Sequence, residues 1–330
     1  MKAFVTGATG FVGSSLVRLL LKDGFEVGAL VRKNSNLENL KGLNIKKIEG
    51  DLRDRYSLEK ALLGYDYLFH VAADYRLWVP NPKEIYNNNV QGTKNIMLSA
   101  IKAGIKRAVY TSSVATLGLN KDGSPANEET PVSLNDMIGH YKRSKFLAEQ
   151  AVMEIVEKKG FDVVIVNPST PVGPRDIKPT PTGRMILEAA QGKMPAYVDT
   201  GLNIVHVDDV SKGHILALKR GKSGRRYILG GENMTLKEIF EVIAHFTGNA
   251  PPKIKLPHNL ILPVAYIFEA ISKLTGKEPL VTVDGVKMAK KKMFFSSKRA
   301  QTELGYIFRP AKEAIKDAVE WFKKKGKLNF

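Results

Sequence analysis

No cysteine occurs in these 330 residues. Disulfides, thiolate nucleophiles and Cys-ligated zinc are therefore excluded, and nothing in the chain requires an oxidising compartment. Acidic residues are scarce beside basic ones, with 33 Asp plus Glu against 51 Lys plus Arg and a formal net charge of +18. A field of that sign favours anionic ligands, from nucleotide diphosphates to nucleic acid or acidic lipid surfaces, without choosing among them. Long apolar runs are missing as well. The most apolar stretch, Leu256 to Ile271, is interrupted by Pro257, His258, Pro263 and Glu269. It is shorter than the roughly 20 residues a span needs, so no integral membrane segment is expected. It reads as a core or amphipathic helix, with peripheral membrane contact left open. No nucleic-acid motif accompanies the runs Lys290-Lys291-Lys292 and Lys323-Lys324-Lys325, which read as solvated helix faces, so nucleic acid is not an expected partner.

The chain has an ordinary globular composition, 43% apolar and 25% charged, enough for one large core or two coupled domains. Apolar strand candidates recur at Lys2 to Val5, Glu26 to Val31, Ile45 to Ile48, Tyr67 to Val71, Ala108 to Ser112 and Val163 to Val166. Helical patterns separate them, which predicts an α/β fold with a doubly wound parallel sheet. From about Pro168 the sequence becomes dense in proline and glycine, marking a crossing out of the sheet. Residues 1–167 are expected to form the domain of this sheet. Residues 168–202 and 231–330 would form a smaller, mostly helical substrate lobe. The first strand begins at Lys2, which leaves no room for a signal peptide and makes the cytoplasm the default location.

Three motifs carry the chemistry. Thr6 to Gly13 reads TGATGFVG, with Gly7, Gly10 and Gly13 spaced G-x-x-G-x-x-G between an apolar strand and a helix, Phe11 to Lys22. Glycines let a backbone approach a pyrophosphate, and a helix N-terminus offers it unpaired N–H groups. Alone, such a turn is equally explained by the need for positive φ. The second motif is Ser112-Ser113 after an apolar strand, and the third is Tyr141-Lys142-Arg143-Ser144-Lys145. Tyr141 and Lys145 lie four residues apart in a helical pattern, Ile138 to Lys158, and so share a face. An ammonium there is expected to lower the phenol's pKa and make Tyr141 an acid or base near neutral pH. Ser113 would then hold a substrate oxygen.

In combination the three motifs resemble the extended branch of the short-chain dehydrogenase/reductase superfamily, whose members include sugar-nucleotide epimerases, dehydratases and carbonyl reductases. The segments HVAADYRLW (His70 to Trp78), Asn167 to Arg184 and Met194 to Val210 are similar to its hopanoid-associated sugar epimerase group, also labelled dihydroflavonol-4-reductase-like. The resemblance implies that 1–167 is an NAD(P)-binding Rossmann domain to which 203–230 return, and a catalytic set of Ser113, Tyr141 and Lys145. It implies a dinucleotide held by Gly7, Thr9, Gly10, Phe11, Val12, Gly13, Asp51, Leu52, Ala72, Ala73, Thr111, Pro168, Tyr141 and Lys145, with Asn89 supporting the site. It also implies a homodimer built from the helix of Tyr141 and the one near Tyr86 to Ala103.

Cofactor choice follows from the end of the second strand, where an acid bonds the ribose diol and an arginine accommodates a 2′-phosphate. Arg32 stands there, so NADP is expected and NAD is the alternative, with Arg32 then solvating a loop or stacking on adenine. The family's dehydratases carry an acidic pair where this chain has Val114 and Ala115, which removes dehydration. A nucleotide-sugar epimerase is the leading expectation, an NADPH-dependent ketone or aldehyde reductase the alternative, and a non-catalytic dinucleotide sensor the third. For the small-molecule substrate, Asp74, Tyr75 and Arg76 are expected to face the pocket and Asn167 to lie near a nucleotide sugar. Arg175 and Arg184 could clamp a diphosphate or make surface ion pairs. His206, Asp208 and Asp209 form no expected metal site; Asp208 is read as the cap of the following helix.

Overall fold

The computed structural model describes residues 1–276, 279 and 281–328. Strands β1 (Lys2–Thr6), β2 (Glu26–Val31), β3 (Lys46–Glu49), β4 (Tyr67–His70), β5 (Arg107–Thr111) and β6 (Val163–Pro168) form a sheet in the order β3-β2-β1-β4-β5-β6. Every pairing in it is parallel. Parallel strands need crossovers, which here are mostly helical, so both faces are covered and the strands can be apolar throughout. In β6 every residue is buried. The first helix, α1 (Phe11–Lys22), puts Leu16, Val17 and Leu20 against one face of the sheet. Against the other face lie α2 (Arg55–Ala61), α4 (Gly92–Lys102) and α5 (Gly139–Lys159), through Leu58, Ile96, Met97, Ala148 and Val152. A short α3 (Pro82–Tyr86) runs into α4 through a π-helical turn, Asn87–Gln91. That turn carries Asn89.

Beyond β6 the chain forms β7 (Thr170–Val172), α6 (Pro181–Ala190), β8 (Ala196–Val198), β9 (Gly201–His206), α7 (Val207–Arg220) and β10 (Arg226–Leu229). Residues 203–230 divide between the two regions. Helix α7 packs against α1, and β10 pairs with β6 as the seventh parallel strand. Strand β9 does not return to that sheet. It centres a second one, pairing with β7, with β11 (Glu232–Thr235) and with β13 (Lys292–Met293). Strand periodicity identifies β9 as a strand but cannot say which sheet it joins.

The remaining elements are α8 (Leu236–Thr247), β12 (Ile254–Leu256), α9 (His258–Thr275), α10 (Val283–Ala289) and α11 (Ala311–Lys324). A separate core lies among α6, α8 and α11, around Ile186, Ile239, Phe240, Ile315, Val319 and Phe322. Helix α8 opens with a capping box between Thr235 and Glu238 and closes on Gly248 at positive φ. Among the described residues no helix is long and apolar enough to cross a membrane.

Candidate active site

The glycine loop joins β1 to α1 at the carboxyl edge of the sheet. Gly7 has φ +73, and a Cβ there would stand 2.6 Å from the Ala72 backbone nitrogen, just beyond β4. At Gly13 a Cβ would run into the Gly7 carbonyl. The loop is therefore closed to side chains where β1, α1 and the end of β4 meet. Gly10, the N-cap of α1, supplies no side-chain bond to the helix's first N–H groups, so these remain available to an anion. Nearby, Ser112 Oγ, Asn167 Oδ1 and Ser169 Oγ are buried without a protein partner at the carboxyl ends of β5 and β6. These features fit a dinucleotide with its pyrophosphate at α1. Arg32 is exposed at the end of β2, and its charge helps to hold the Asp51 carboxyl below its ordinary value, after the larger effect of a hydrogen bond from Arg53. The Leu52 carbonyl accepts from Asn95 Nδ2 at 2.9 Å.

Ser113 follows β5 and caps a short 3-10 turn, its Oγ accepting from Ala115 N at 3.1 Å. Tyr141 stands in the first turn of α5, close enough to Ser113 for the serine hydroxyl to act on its phenol. Burial pushes the Tyr141 phenol above its ordinary value, and the neighbouring Ser113 side chain offsets part of that rise. Lys145, one turn on, is buried, and burial lowers its pKa to about 8 against an opposing effect of Glu149. Its Nζ donates to the Thr111 carbonyl at 2.9 Å and to Tyr110 Oη at 3.1 Å. The expectation that its ammonium depresses the Tyr141 phenol is therefore corrected. The two residues share a face, but the flexible lysine stem reaches to β5 rather than to the phenol.

Asn89 locks this arrangement from the π turn. Its Oδ1 accepts from Asp74 N at 2.7 Å, and its Nδ2 donates to Asp74 O at 2.8 Å and Ser144 Oγ at 2.9 Å. One side chain thus ties the loop after β4 to the helix of Tyr141. Behind it, Tyr110 meets Thr93, and His70 links Thr93 at 2.9 Å to Thr6 at 2.7 Å. Burial and the Lys145 charge lower the pKa of His70 to about 3, so this histidine is neutral. Glu149, two turns beyond Tyr141 and fully enclosed, accepts from Thr116 Oγ1 at 2.9 Å and Asn167 Nδ2 at 3.0 Å. Sequence reading passed over Tyr110, His70 and Glu149. Only the i, i+4, i+8 spacing of Tyr141, Lys145 and Glu149 could have flagged one of them.

The expected substrate residues scatter. Asn167 is completely buried, with its amide also donating to the Ser113 carbonyl at 3.1 Å, so it braces the serine turn from behind. Asp74 and Arg76 hold each other in a two-pronged pair at 2.9 and 2.6 Å. Tyr75 is exposed, and so is Arg184 on α6. Arg175, the one non-glycine residue at positive φ among those described, pairs with Asp208. Its carbonyl accepts from Asn39, which also bonds Thr9 in the glycine loop. The cap of α7 is His206, whose ring accepts from Asp208 N at 3.0 Å. Asp208 itself lies inside the first turn, which corrects its expected capping role. Asp209 is held by Arg309 and His206 also meets Asp317, so the three neighbours face three different partners.

A parallel dinucleotide-type sheet with serine, tyrosine and lysine at its carboxyl edge defines an enzyme of the short-chain dehydrogenase/reductase superfamily, extended branch. The chain belongs to the NAD dependent epimerase/dehydratase family, whose model matches residues 3–230. It is 47% identical over 327 residues to a Synechocystis sp. protein named "Putative dihydroflavonol 4-reductase", covering 98% of this chain and 95% of that one. It is 35% identical over 331 residues to the sterol demethylase protein B of Methylococcus capsulatus, covering 99% and 100%. The solved structure of gox2253 superposes with a TM-score of 0.90 at 53% identity, over 99% of each chain.

Proposed function

We propose that the protein is an NADP(H)-dependent oxidoreductase that interconverts a ketone or aldehyde and the corresponding alcohol on a substrate lacking a nucleotide diphosphate. The observation that carries this reading is the state of the arginines. A diphosphate needs free guanidinium forks, yet Arg175 and Arg76 are already neutralised by Asp208 and Asp74. Of the three, only Arg184, exposed on α6, has no carboxylate partner among the described residues. The relative named for a dihydroflavonol reductase agrees with this reading, and the sterol-related name of another points to lipophilic substrates.

A nicotinamide dinucleotide, when bound, supplies or accepts the hydride. Around it Gly7, Gly10, Gly13, Thr9, Phe11 and Val12 would hold the pyrophosphate, with Ala72, Ala73, Thr111 and Pro168 lining the rest. Asp51 and Leu52 would flank the adenine and Arg32 would take the 2′-phosphate. Ser113 holds the substrate oxygen by its hydroxyl. Tyr141 Oη gives that oxygen a proton as it becomes an alcohol, or takes the proton in the reverse direction. Lys145 fixes the β5 edge through Thr111 and would hold the cofactor's ribose.

The test is to supply NADPH or NADH with a panel of lipophilic ketones and aldehydes, and separately with nucleotide sugars. Consumption of NADPH with a carbonyl compound, and no sugar epimer, is the expected result. A tightly retained oxidised cofactor together with turnover of a nucleotide sugar would restore the epimerase reading. Arg32→Glu is expected to weaken NADPH about tenfold or more while sparing NADH. We also infer a homodimer through α4 and α5, whose shared groove of about 430 Å³ is lined by Val90, Leu147 and Met153 together with Lys94, Glu154 and Glu157. Sedimentation as a monomer at micromolar concentration would reject it.

A further inference from the structure

Helix α9 is apolar on two faces. Ile261, Leu262 and Ala265 pack against Val281, Val283 and Val286 of the α10 segment. The opposite side carries Leu260, Val264, Ile267, Ile271 and Leu274, which follow the spacing i, i+4, i+7, i+11 and i+14 and so form one stripe. All five are exposed, Leu260 by 66%, Ile267 by 60% and Leu274 by 88%. Beyond His258 at its start, the helix carries only Glu269 and Lys273 as acid and base. Glu269 turns to the α10 side, accepting from Val283 N at 2.8 Å, so no acid interrupts the stripe.

The charge around α9 is basic. Exposed Lys253 and Lys255 lead into it, and exposed Lys287, Lys290 and Lys291 lie on and just after α10. The two helices are pinned where those lysines gather: His258 Nε2 meets the Ala289 carbonyl at 2.9 Å, and Lys290 Nζ approaches Asn259 Oδ1 at 3.5 Å. The nearby acid Asp199 engages Lys255 and Lys292, leaving Lys253, Lys287, Lys290 and Lys291 with no ion pair among the described residues.

We propose that α9 docks the protein onto an anionic lipid surface, its stripe entering the acyl boundary and the lysines meeting the headgroups. Charge selects this occupant over a second copy of the chain. Two molecules of net charge +18 would bring the same lysines together, whereas an acidic bilayer supplies both apolar depth and opposite charge. The placement also gives docking a route to the chemistry. Asp284 in the first turn of α10 lies against Gly139, two residues ahead of Tyr141, where a Cβ would come within 2.8 Å of its carboxylate. The lipid-facing unit and the start of α5 are thus in contact. This inference is independent of the reaction direction and of the cofactor.

The experiment is co-sedimentation of the whole protein with vesicles of phosphatidylglycerol mixed with phosphatidylcholine, against phosphatidylcholine alone. Binding to the acidic vesicles and weaker binding to the neutral ones is expected. The double variant I267E/I271E should lower that partition by about tenfold or more with unchanged circular dichroism and dinucleotide binding. K287E/K290E, which alters only exposed side chains, should remove the preference for acidic lipid. Failure of the unmodified protein to bind, or undiminished binding by either variant, would overturn the proposal. So would a lipid-free dimer that I267E/I271E converts to monomer, because the stripe would then belong to a second copy.

Discussion

Lys145 spends its donors on Thr111 and Tyr110, which leaves the acidity of Tyr141 to its burial and to Ser113. A buried phenol resists ionisation, and a hydroxyl donating to its oxygen favours the phenolate. Ser113→Ala is therefore expected to raise the Tyr141 pKa further as well as to lose a contact to substrate. Tyr141→Phe removes the transferable proton, and a loss of activity of about 10² to 10⁴-fold is expected with NADPH binding intact. A fluorescence titration of NADPH beside the rate assay separates the two quantities. Unchanged activity would remove Tyr141 from the chemistry. Glu149 acts on the same cluster through charge. It raises the pKa of Lys145, which burial otherwise lowers, so Glu149→Gln should move the Lys145 titration below about 8. If Lys145 must be charged to hold the ribose, the alkaline limb of dinucleotide binding shifts to lower pH in that variant. An unmoved limb would separate Lys145 from it.

At the scale of elements, the parts legible in the sequence were those whose signals are local. The bounds of α1 and β2 follow from apolar period and the flanking glycines. Motif order places Ser113 and Tyr141 together, and the Ser113 side chain acts on the Tyr141 phenol. Three features were not legible. The π turn at Asn87–Gln91 has a polar, aperiodic sequence, and its form depends on Asn89 reaching Asp74 and Ser144. The sheet chosen by β9 depends on partners remote in sequence. The cap of α7 is a histidine, a residue outside the usual capping set, with an acid two places on that drew the assignment. Asp176 illustrates an element end whose pH behaviour is now calculable in sign. It is buried ahead of α6, where its carboxylate accepts from Thr180 N at 2.9 Å and Thr180 Oγ1 at 2.8 Å. Burial outweighs those bonds and raises its pKa from 3.8 to about 6. The folded chain thus holds this proton more tightly than the unfolded one. The associated stability is complete below 3.8 and is lost as pH rises through about 6. Asp176→Asn keeps an acceptor and has no proton to lose. Its stability relative to the parent should climb across that window, by at most about 3 kcal/mol, and stay level above it. Denaturant midpoints at the two ends of the window check this; a constant difference would reject the assignment.

Across the whole molecule, the two cores communicate through α7 and the segment that leads into α11. Helix α7 packs against α1 and the central sheet, while α11 packs against α6 and α8. Asp209 in the first turn of α7 is buried, and Arg309, just ahead of α11, closes on it. The Arg309 backbone N–H donates to Oδ2 at 2.9 Å, Nε to the same oxygen at 3.0 Å and Nη2 to Oδ1 at 2.8 Å. These bonds hold the Asp209 carboxyl below its ordinary value against the opposing effect of burial. Removing the guanidinium leaves a buried carboxylate with its backbone donor and the more distant Lys212 at 3.4 Å. Breaking one side of such a pair costs about 3 to 5 kcal/mol. Arg309→Ala should therefore destabilise the chain and weaken the joint more than either core. The two tryptophans make this measurable, since Trp78 follows β4 and Trp321 lies on α11. With Trp78→Phe as background, Trp321 emission reports the helical lobe and far-ultraviolet circular dichroism reports the whole fold. The two unfolding curves should coincide in that background. Adding Arg309→Ala should move the Trp321 curve to lower denaturant than the dichroism curve, because the lobe loses its tie to the sheet. If both curves shift together by the same amount, Arg309 stabilises the molecule as one unit and the joint is elsewhere.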